Sequence, residues 1–240
     1  MDAASGSSEK HLVEGALVER LRAFPRFATL AQMSLSRLVA CGERRALQRG
    51  EEILRQGEAA TSLFLLLDGR LKMSRAVPGG RKALLALFGP GDPVGISTFP
   101  GRPSDATVAA LETSLCLEIP HRLLLAAMEE RPRLVGDLLP LFLERVAECR
   151  ECAVEGAFLR VEPRFARLFL RLGESVGKPM DGAVFIPVPL SRQDLADMAG
   201  TTIETSIRVM SRWGRDGVVE TLEDRFLLRD GAALAQLCGS

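Results

Sequence analysis

From about Glu51 to Pro120 the chain is cut repeatedly by glycine-containing turns, and this punctuation limits it to short strands. The stretch SLFLLLDGRLKMSRAV breaks at Asp68-Gly69, and VPGGRKALLALFGPGD carries Gly79-Gly80 and Gly89-Pro90-Gly91; SDATVAALETSLCLEIP closes the series. Glycine adopts positive φ at little steric cost, and Asp-Gly between apolar runs is a strong hairpin signal. Between the cuts, side chains follow a period of two. Short strands joined by Gly-rich turns predict a small β barrel or jelly roll. Helical patterns flank it, at roughly Lys10–Ala23 and Ser34–Cys41 before and His121–Met128 after.

A long helical stretch follows, from about Arg131 to Ala157. Within it Val135, Leu139, Phe142, Val146, Cys149 and Ala153 are spaced by 4, 3, 4, 3 and 4 residues, a heptad seam. A lone helix does not need such a seam, whereas two copies packed together do. These six residues are therefore the expected dimer interface, the alternative being a helix packed only on its own barrel. Pro140 lies inside the stretch and predicts a kink near its start. Arg164–Gly173 reads as another helix, then a loop and the strand AVFIPVPL. The composition breaks near Phe158–Pro163.

The segment LSRQDLADMAGTTIETSIRVMSRWGRDG holds two short helical patterns joined by Ala-Gly-Thr-Thr. Ser191 and Asp194 form a capping box that starts the first. Gly200 permits the turn, and Thr201 or Thr202 caps the second. At 100° per residue, Ser206, Val209, Met210 and Trp213 share a core arc, while Ile203, Glu204, Ile207, Arg208 and Ser211 share a neighbouring one. That second arc suits base edges in a major groove. A carboxylate accepts from cytosine N4, an arginine forks onto guanine O6/N7, and an aliphatic group meets a thymine methyl. The competing reading is that Glu204 caps the helix through Thr201 and pairs with Arg208. Between Leu190 and Gly217 four arginines oppose four acids, so the segment is neutral. Beyond it, GVVETLEDRFLLRDG reads as a hairpin turning at Glu223-Asp224.

Composition narrows the alternatives. The 31 basic and 31 acidic residues cancel, so any nucleic-acid surface has to be local. No apolar run approaches the roughly 20 residues a bilayer requires. The opening MDAASGSSEK has no signal-peptide pattern and reads as a frayed start, so the cytoplasm is the expected location. Cys41, Cys116, Cys149, Cys152 and Cys238 are odd in number and scattered, which argues against a disulfide framework. With His11 and His121 the only histidines, a His-based metal site is not expected. No P-loop, nucleophile elbow, paired catalytic carboxylates or zinc pattern occurs, and tyrosine is absent, so an enzyme is not expected.

The segment SRQDLADMAGTTIETSIRVMSRW resembles, without gaps, the DNA-binding motif of the bacterial regulators named for the cyclic-AMP receptor protein and the fumarate–nitrate reduction regulator (CRP/FNR). Its Glu-x-x-x-Arg signature stands here as Glu204 and Arg208. GDPVG in the barrel, LEIP at its end, the long helix and AFL at the hinge extend the resemblance over nearly the whole chain. It implies an α+β fold: an N-terminal double-stranded β-helix (jelly-roll) barrel of cyclic-nucleotide-binding type, a long dimerisation helix and a C-terminal winged helix-turn-helix. The corresponding division is 1–23 N-terminal helix or tail, 24–128 sensor barrel, 129–157 dimerisation helix and 158–240 DNA-binding domain. It further implies a homodimeric transcription regulator acting on double-stranded DNA, with RNA polymerase and a small effector as further partners and no membrane. Expected DNA contacts are Ser191, Arg192, Gln193, Thr201, Thr202, Ile203, Glu204, Ile207, Arg208 and Arg212. Relatives that read a TTGAT-like half-site carry serine immediately before the arginine. Ile207 stands there and cannot donate a hydrogen bond, so the flanking preference is expected to differ.

The input side departs further. In cyclic-AMP-binding relatives a glutamate follows the glycine of the barrel motif and grips the ribose, and a downstream Arg-Ser-Ala grips the phosphate. Here those positions read Gly95-Ile96 and Ser104-Asp105-Ala106, with Arg102 close by. Isoleucine cannot bond a hydroxyl and Asp105 repels a phosphate, so orthodox cyclic-AMP binding is disfavoured. An iron–sulfur cluster is disfavoured as well, because no cysteine precedes Cys41, and Cys116 lies one residue short of the position relatives use. One residue of slip turns a strand side chain to the opposite face. Gly95, Ile96, Arg102, Ser104, Asp105 and Cys149 remain the candidate effector pocket, the effector being unidentified. Alternatives are a haem held by His11, His121 or a cysteine, and a thiol sensor at Cys149/Cys152.

Overall fold

Strands and helices fall where the two periodicities change over. The computed structural model describes residues 3–78 and 82–238, without the side chains of residues 3–12, 145, 149, 152, 153 and 155–158. Helix α1 (Ala3–Arg22), a 3-10 turn (Pro25–Phe27) and α2 (Gln32–Cys41) precede eight strands: β1 (Glu43–Leu47), β2 (Glu52–Leu54), β3 (Ser62–Asp68), β4 (Leu71–Ala76), β5 (Lys82–Phe88), β6 (Pro93–Val94), β7 (Thr107–Ala110) and β8 (Ser114–Pro120). Helices α3 (His121–Glu130), α4 (Arg133–Phe158) and α5 (Val161–Val176) follow. The chain ends in β9 (Lys178–Met180), β10 (Ala183–Ile186), α6 (Arg192–Ala199), α7 (Ile203–Arg215), β11 (Val219–Leu222), β12 (Arg225–Leu228) and α8 (Gly231–Cys238). Packing divides the chain into two units, Met1–Leu71 with Phe88–Val146, and Lys72–Leu87 with Ala147–Ser240. The Gly79-Gly80 turn expected from the sequence lies outside the described residues.

In the first unit, an antiparallel sheet runs in the order β1-β8-β3-β6. Strand β3 is buried at six successive positions, which explains an unbroken apolar run where a half-exposed strand would alternate. Its Leu63, Leu65 and Leu67, with Leu117 and Ile119 of β8, pack on one cluster with Leu21, Leu35, Leu38 and Leu124 of the helices. Cys116 takes the opposite face of β8 and is fully buried. Burial pushes its thiol up to about 12, so it stays protonated at neutral pH and serves as core.

The Asp68-Gly69 hairpin expected from the sequence is not one. The neighbours of β3 are β8 and β6, while β4 pairs with β5. The chain leaves its sheet at Gly69, which has φ of 85°. A Cβ there would stand 2.7 Å from Ser114 Cα, so only glycine fits this corner.

The first half of α4 is tied to its own barrel. Leu134, Leu138 and Leu141 are buried. Ser34 Oγ donates to Asp137 Oδ2 at 2.5 Å. Arg26 donates to Glu144 Oε2 at 3.2 Å and pairs with Asp92 at 3.5 Å. The helix continues through Pro140.

In the second unit, a sheet of order β11-β12-β10-β9 supports the helices. The β11–β12 hairpin turns at Glu223-Asp224 as its sequence indicates, with Leu222 paired to Arg225. Aromatic rings make the core: Trp213 meets Phe165 at 6.3 Å and Phe169 at 5.7 Å, and Phe169 meets Phe226 at 5.3 Å, all edge-on. Helix α5 starts three residues earlier than its apolar pattern suggested, because Pro163 is tolerated in a first turn. Helix α8 was not foreseen; Asp230 Oδ1 accepts from Ala233 N at 2.8 Å and starts it.

Candidate nucleic-acid interface

The helix-turn-helix is assembled by local bonds that the sequence encodes directly. Ser191 Oγ accepts from Asp194 N at 3.1 Å, and Asp194 Oδ2 accepts from Ser191 N at 2.8 Å, which completes the capping box. Gly200, with φ of 63°, ends α6 in the left-handed region. Arg164 of α5 donates to the Gly200 carbonyl at 3.0 Å and braces the turn. Thr201 N donates to Ala196 O at 2.9 Å. Thr202 caps α7, its Oγ1 accepting from Thr205 N at 3.4 Å.

Helix α7 has two unlike sides. Ser206, Val209, Met210 and Trp213 are buried. Trp213 Nε1 donates to Glu162 Oε1 at 3.1 Å, and the other oxygen of that carboxylate pairs with Arg212. On the far side, Ile203 and Ile207 are 37% and 48% exposed, beside exposed Glu204 and Arg208. Glu204's own backbone N–H and the Thr202 hydroxyl hold its carboxyl below the usual carboxylate range. Among the described residues no ion pair joins it to Arg208, and both residues are exposed.

Three residues expected to touch DNA also have partners within the domain. Arg192 donates to Thr221 Oγ1 at 3.0 Å and lies 5.5 Å over the Phe226 ring, where burial lowers its pKa. Gln193 donates to Asp197 Oδ1 at 2.8 Å. Arg212 is held by Glu162. Glu162 and Arg164 were missed from the sequence because their partners lie 51 and 36 residues away.

The candidate seam is only partly outward. Val135, Leu139 and Val146 are 44%, 48% and 45% exposed, and Leu143, absent from the strict heptad, is 58% exposed. Phe142 turns inward and stacks on Phe99 at 6.4 Å, because the barrel offers that ring a partner. The side chains of Cys149, Cys152 and Ala153 lie outside the described residues, as does that of His11.

At the candidate effector pocket, Gly95 has φ of 90° and opens a 3-10 turn (Ile96–Thr98). Ile96 packs against the hydrophobic core. Ser104 is buried; its Oγ donates to Ala106 O at 2.6 Å and accepts from Ala106 N at 3.5 Å. Asp105 and Arg102 are exposed. His121 is buried edge-on to Phe99 at 5.1 Å; burial lowers its pKa, and the Ser62 and Ala60 backbones act in the opposite direction.

A β-sheet unit followed by a winged helix-turn-helix with a solvent-facing second helix defines a DNA-binding regulator as the class. Comparison agrees in each part: residues 44–131 match the cyclic nucleotide-binding domain and residues 163–237 the Crp-like helix-turn-helix domain. The chain belongs to the CRP/FNR family of transcription regulators, which are not enzymes. It is 24% identical over 189 residues to the CRP-like cAMP-activated global transcriptional regulator of Mycobacterium tuberculosis, covering 78% of this chain and 84% of that one. It is 25% identical over 199 residues to the nitrogen fixation regulation protein FixK of Bradyrhizobium diazoefficiens, covering 83% of each. A CRP/FNR-family regulator from Thermus thermophilus has the same fold, with a TM-score of 0.70 at 22% identity, covering 82% of this chain and 99% of that one. Among the described residues no helix is long and apolar enough to cross a membrane.

Proposed function

We propose that the protein is a homodimeric transcription regulator of the cytoplasm that reads a palindromic site by placing α7 in the major groove. The observation that carries this reading is the outward side of α7, where Glu204 and Arg208 stand free of each other beside two exposed isoleucines. The carboxylate accepts from cytosine N4 and the guanidinium forks onto the guanine of a G·C pair. Thr201, Thr202 and the N-terminus of α6 with Ser191 meet phosphates in this reading, contacts that set register rather than sequence. The exposed stripe of Val135, Leu139, Leu143 and Val146 is the surface through which two copies join, and two-fold symmetry then demands a palindrome. RNA polymerase is the expected further partner at the promoter.

Replacing Glu204 or Arg208 with alanine should cost about 1–3 kcal/mol at a site selected from random duplexes. Binding to unrelated DNA should barely change. Gel shifts on both duplexes measure this, and an equal loss on both would assign these residues to folding or general affinity.

The effector is a small molecule other than cyclic AMP in its orthodox pose. Ser104 has its hydroxyl engaged by Ala106, Ile96 is turned into the core, and Asp105 supplies a negative charge where a phosphate would sit. Cyclic AMP at millimolar concentration should leave the melting temperature of the full chain where it was. A ligand at 100 times its Kd stabilises by about 2.7 kcal/mol, so a rise of several degrees would return the pocket to cyclic nucleotides.

A further inference from the structure

We infer that Ile203 and Ile207 read thymine methyl groups, so that the half-site is a G·C pair accompanied by two methyl-bearing positions. This rests on the reading of α7 as the groove-facing helix. The structure narrows which side chains are left to specify sequence. Arg192, Gln193 and Arg212 are engaged by Thr221, Asp197 and Glu162, while Ile203, Glu204, Ile207, Arg208 and Ser211 remain exposed. Two of those five are aliphatic.

Both isoleucines are exposed, at 37% and 48%, although α7 has its own apolar face filled by Val209, Met210 and Trp213. Exposed branched residues gain nothing for the isolated domain and become favourable when an apolar surface covers them. In a DNA major groove the apolar feature of an unmodified base edge is the thymine C5-methyl. Serine or arginine at these positions would seek acceptors; isoleucine can only seek carbon. Spacing fits as well. Residues four apart lie about 6 Å apart along a helix axis, and base pairs rise about 3.4 Å along the duplex. The two isoleucines thus reach positions one to two steps apart, on a row parallel to that of Glu204 and Arg208. β-Branching limits their rotamers, so the methyl groups are presented with little entropy left to lose.

The test begins with selection of the full-length protein on random duplexes. Each thymine of the enriched half-site is then replaced by deoxyuridine, which removes the methyl and leaves every hydrogen-bonding atom. Affinity is read by fluorescence anisotropy. Two thymine positions should each lose about threefold to fivefold in affinity, the worth of one buried methyl. Ile207→Ala should abolish the sensitivity at one of them and Ile203→Ala at the other, with binding to unrelated DNA and the Trp213 emission maximum unchanged. Sequence-specific binding that ignores every thymine-to-deoxyuridine exchange overturns the inference alone. So does sensitivity that persists in both alanine variants. Failure of selection to enrich any sequence overturns the assignment of α7 as a reader, and this inference with it.

Discussion

A chain carrying Leu139→Glu and Val146→Glu together is expected to run as a monomer in size-exclusion chromatography with light scattering. Its affinity for the palindromic site should fall at least about a hundredfold, since two linked half-sites bind roughly 10²–10⁴ times more tightly than one. Both residues are nearly half exposed in the single chain, so the changes should leave its own fold within about 0.5 kcal/mol. In a dimer the same positions face their copies across an apolar seam. Burying unpaired carboxylates there costs several kcal/mol each, and like charges add repulsion. Val135 and Leu143 extend the stripe, while Phe142 stacks on Phe99 within its own chain. Phe142→Ala should therefore lower stability without changing the oligomeric state. An unchanged dimer in the double variant would remove α4 from the interface.

The second large effect is at Trp213, the sole tryptophan in a chain without tyrosine. It is 2% exposed and touches Phe165 and Phe169, and its indole N–H is donated to Glu162. Trp213→Ala should cost about 3–5 kcal/mol, a large share of the roughly 5–15 kcal/mol that holds a typical domain. Urea unfolding followed by circular dichroism should show the loss, and the specific DNA complex should vanish at temperatures where the parent retains it. Trp213→Phe keeps most of the packing and removes only the hydrogen bond, at about 1 kcal/mol. A Trp213→Ala chain as stable as its parent would mean that the recognition helix is not anchored through this ring.

Much of the output site was legible before any fold was known, because its determinants are local. The capping box at Ser191 and Asp194, the turn at Gly200, and the split of α7 into a buried and an exposed arc each depend on residues within one or two helical turns. What stayed hidden depends on distance along the chain. Nothing near Arg192 or Arg212 in the sequence shows that they bond Thr221 and Glu162 in other elements. Asp68-Gly69 has the composition of a hairpin, but Gly69 serves a corner packed on Ser114, 45 residues on.

The order of residues by itself determined the periodicities, and with them the barrel strands, the long helix and the helix-turn-helix. Periodicity and chemistry are properties of neighbours, so no tertiary contact was needed. Only the tertiary structure decided which polar side chains are spent inside the domain and which apolar ones are left outside. Phe142 went inward because Phe99 was there to receive it. Leu143 stayed outward at 58% exposure. Ile203 and Ile207 stayed outward because the core face of α7 was already filled. A side chain's partners are chosen by what the fold brings within a few ångströms, and that is not a local property of the chain.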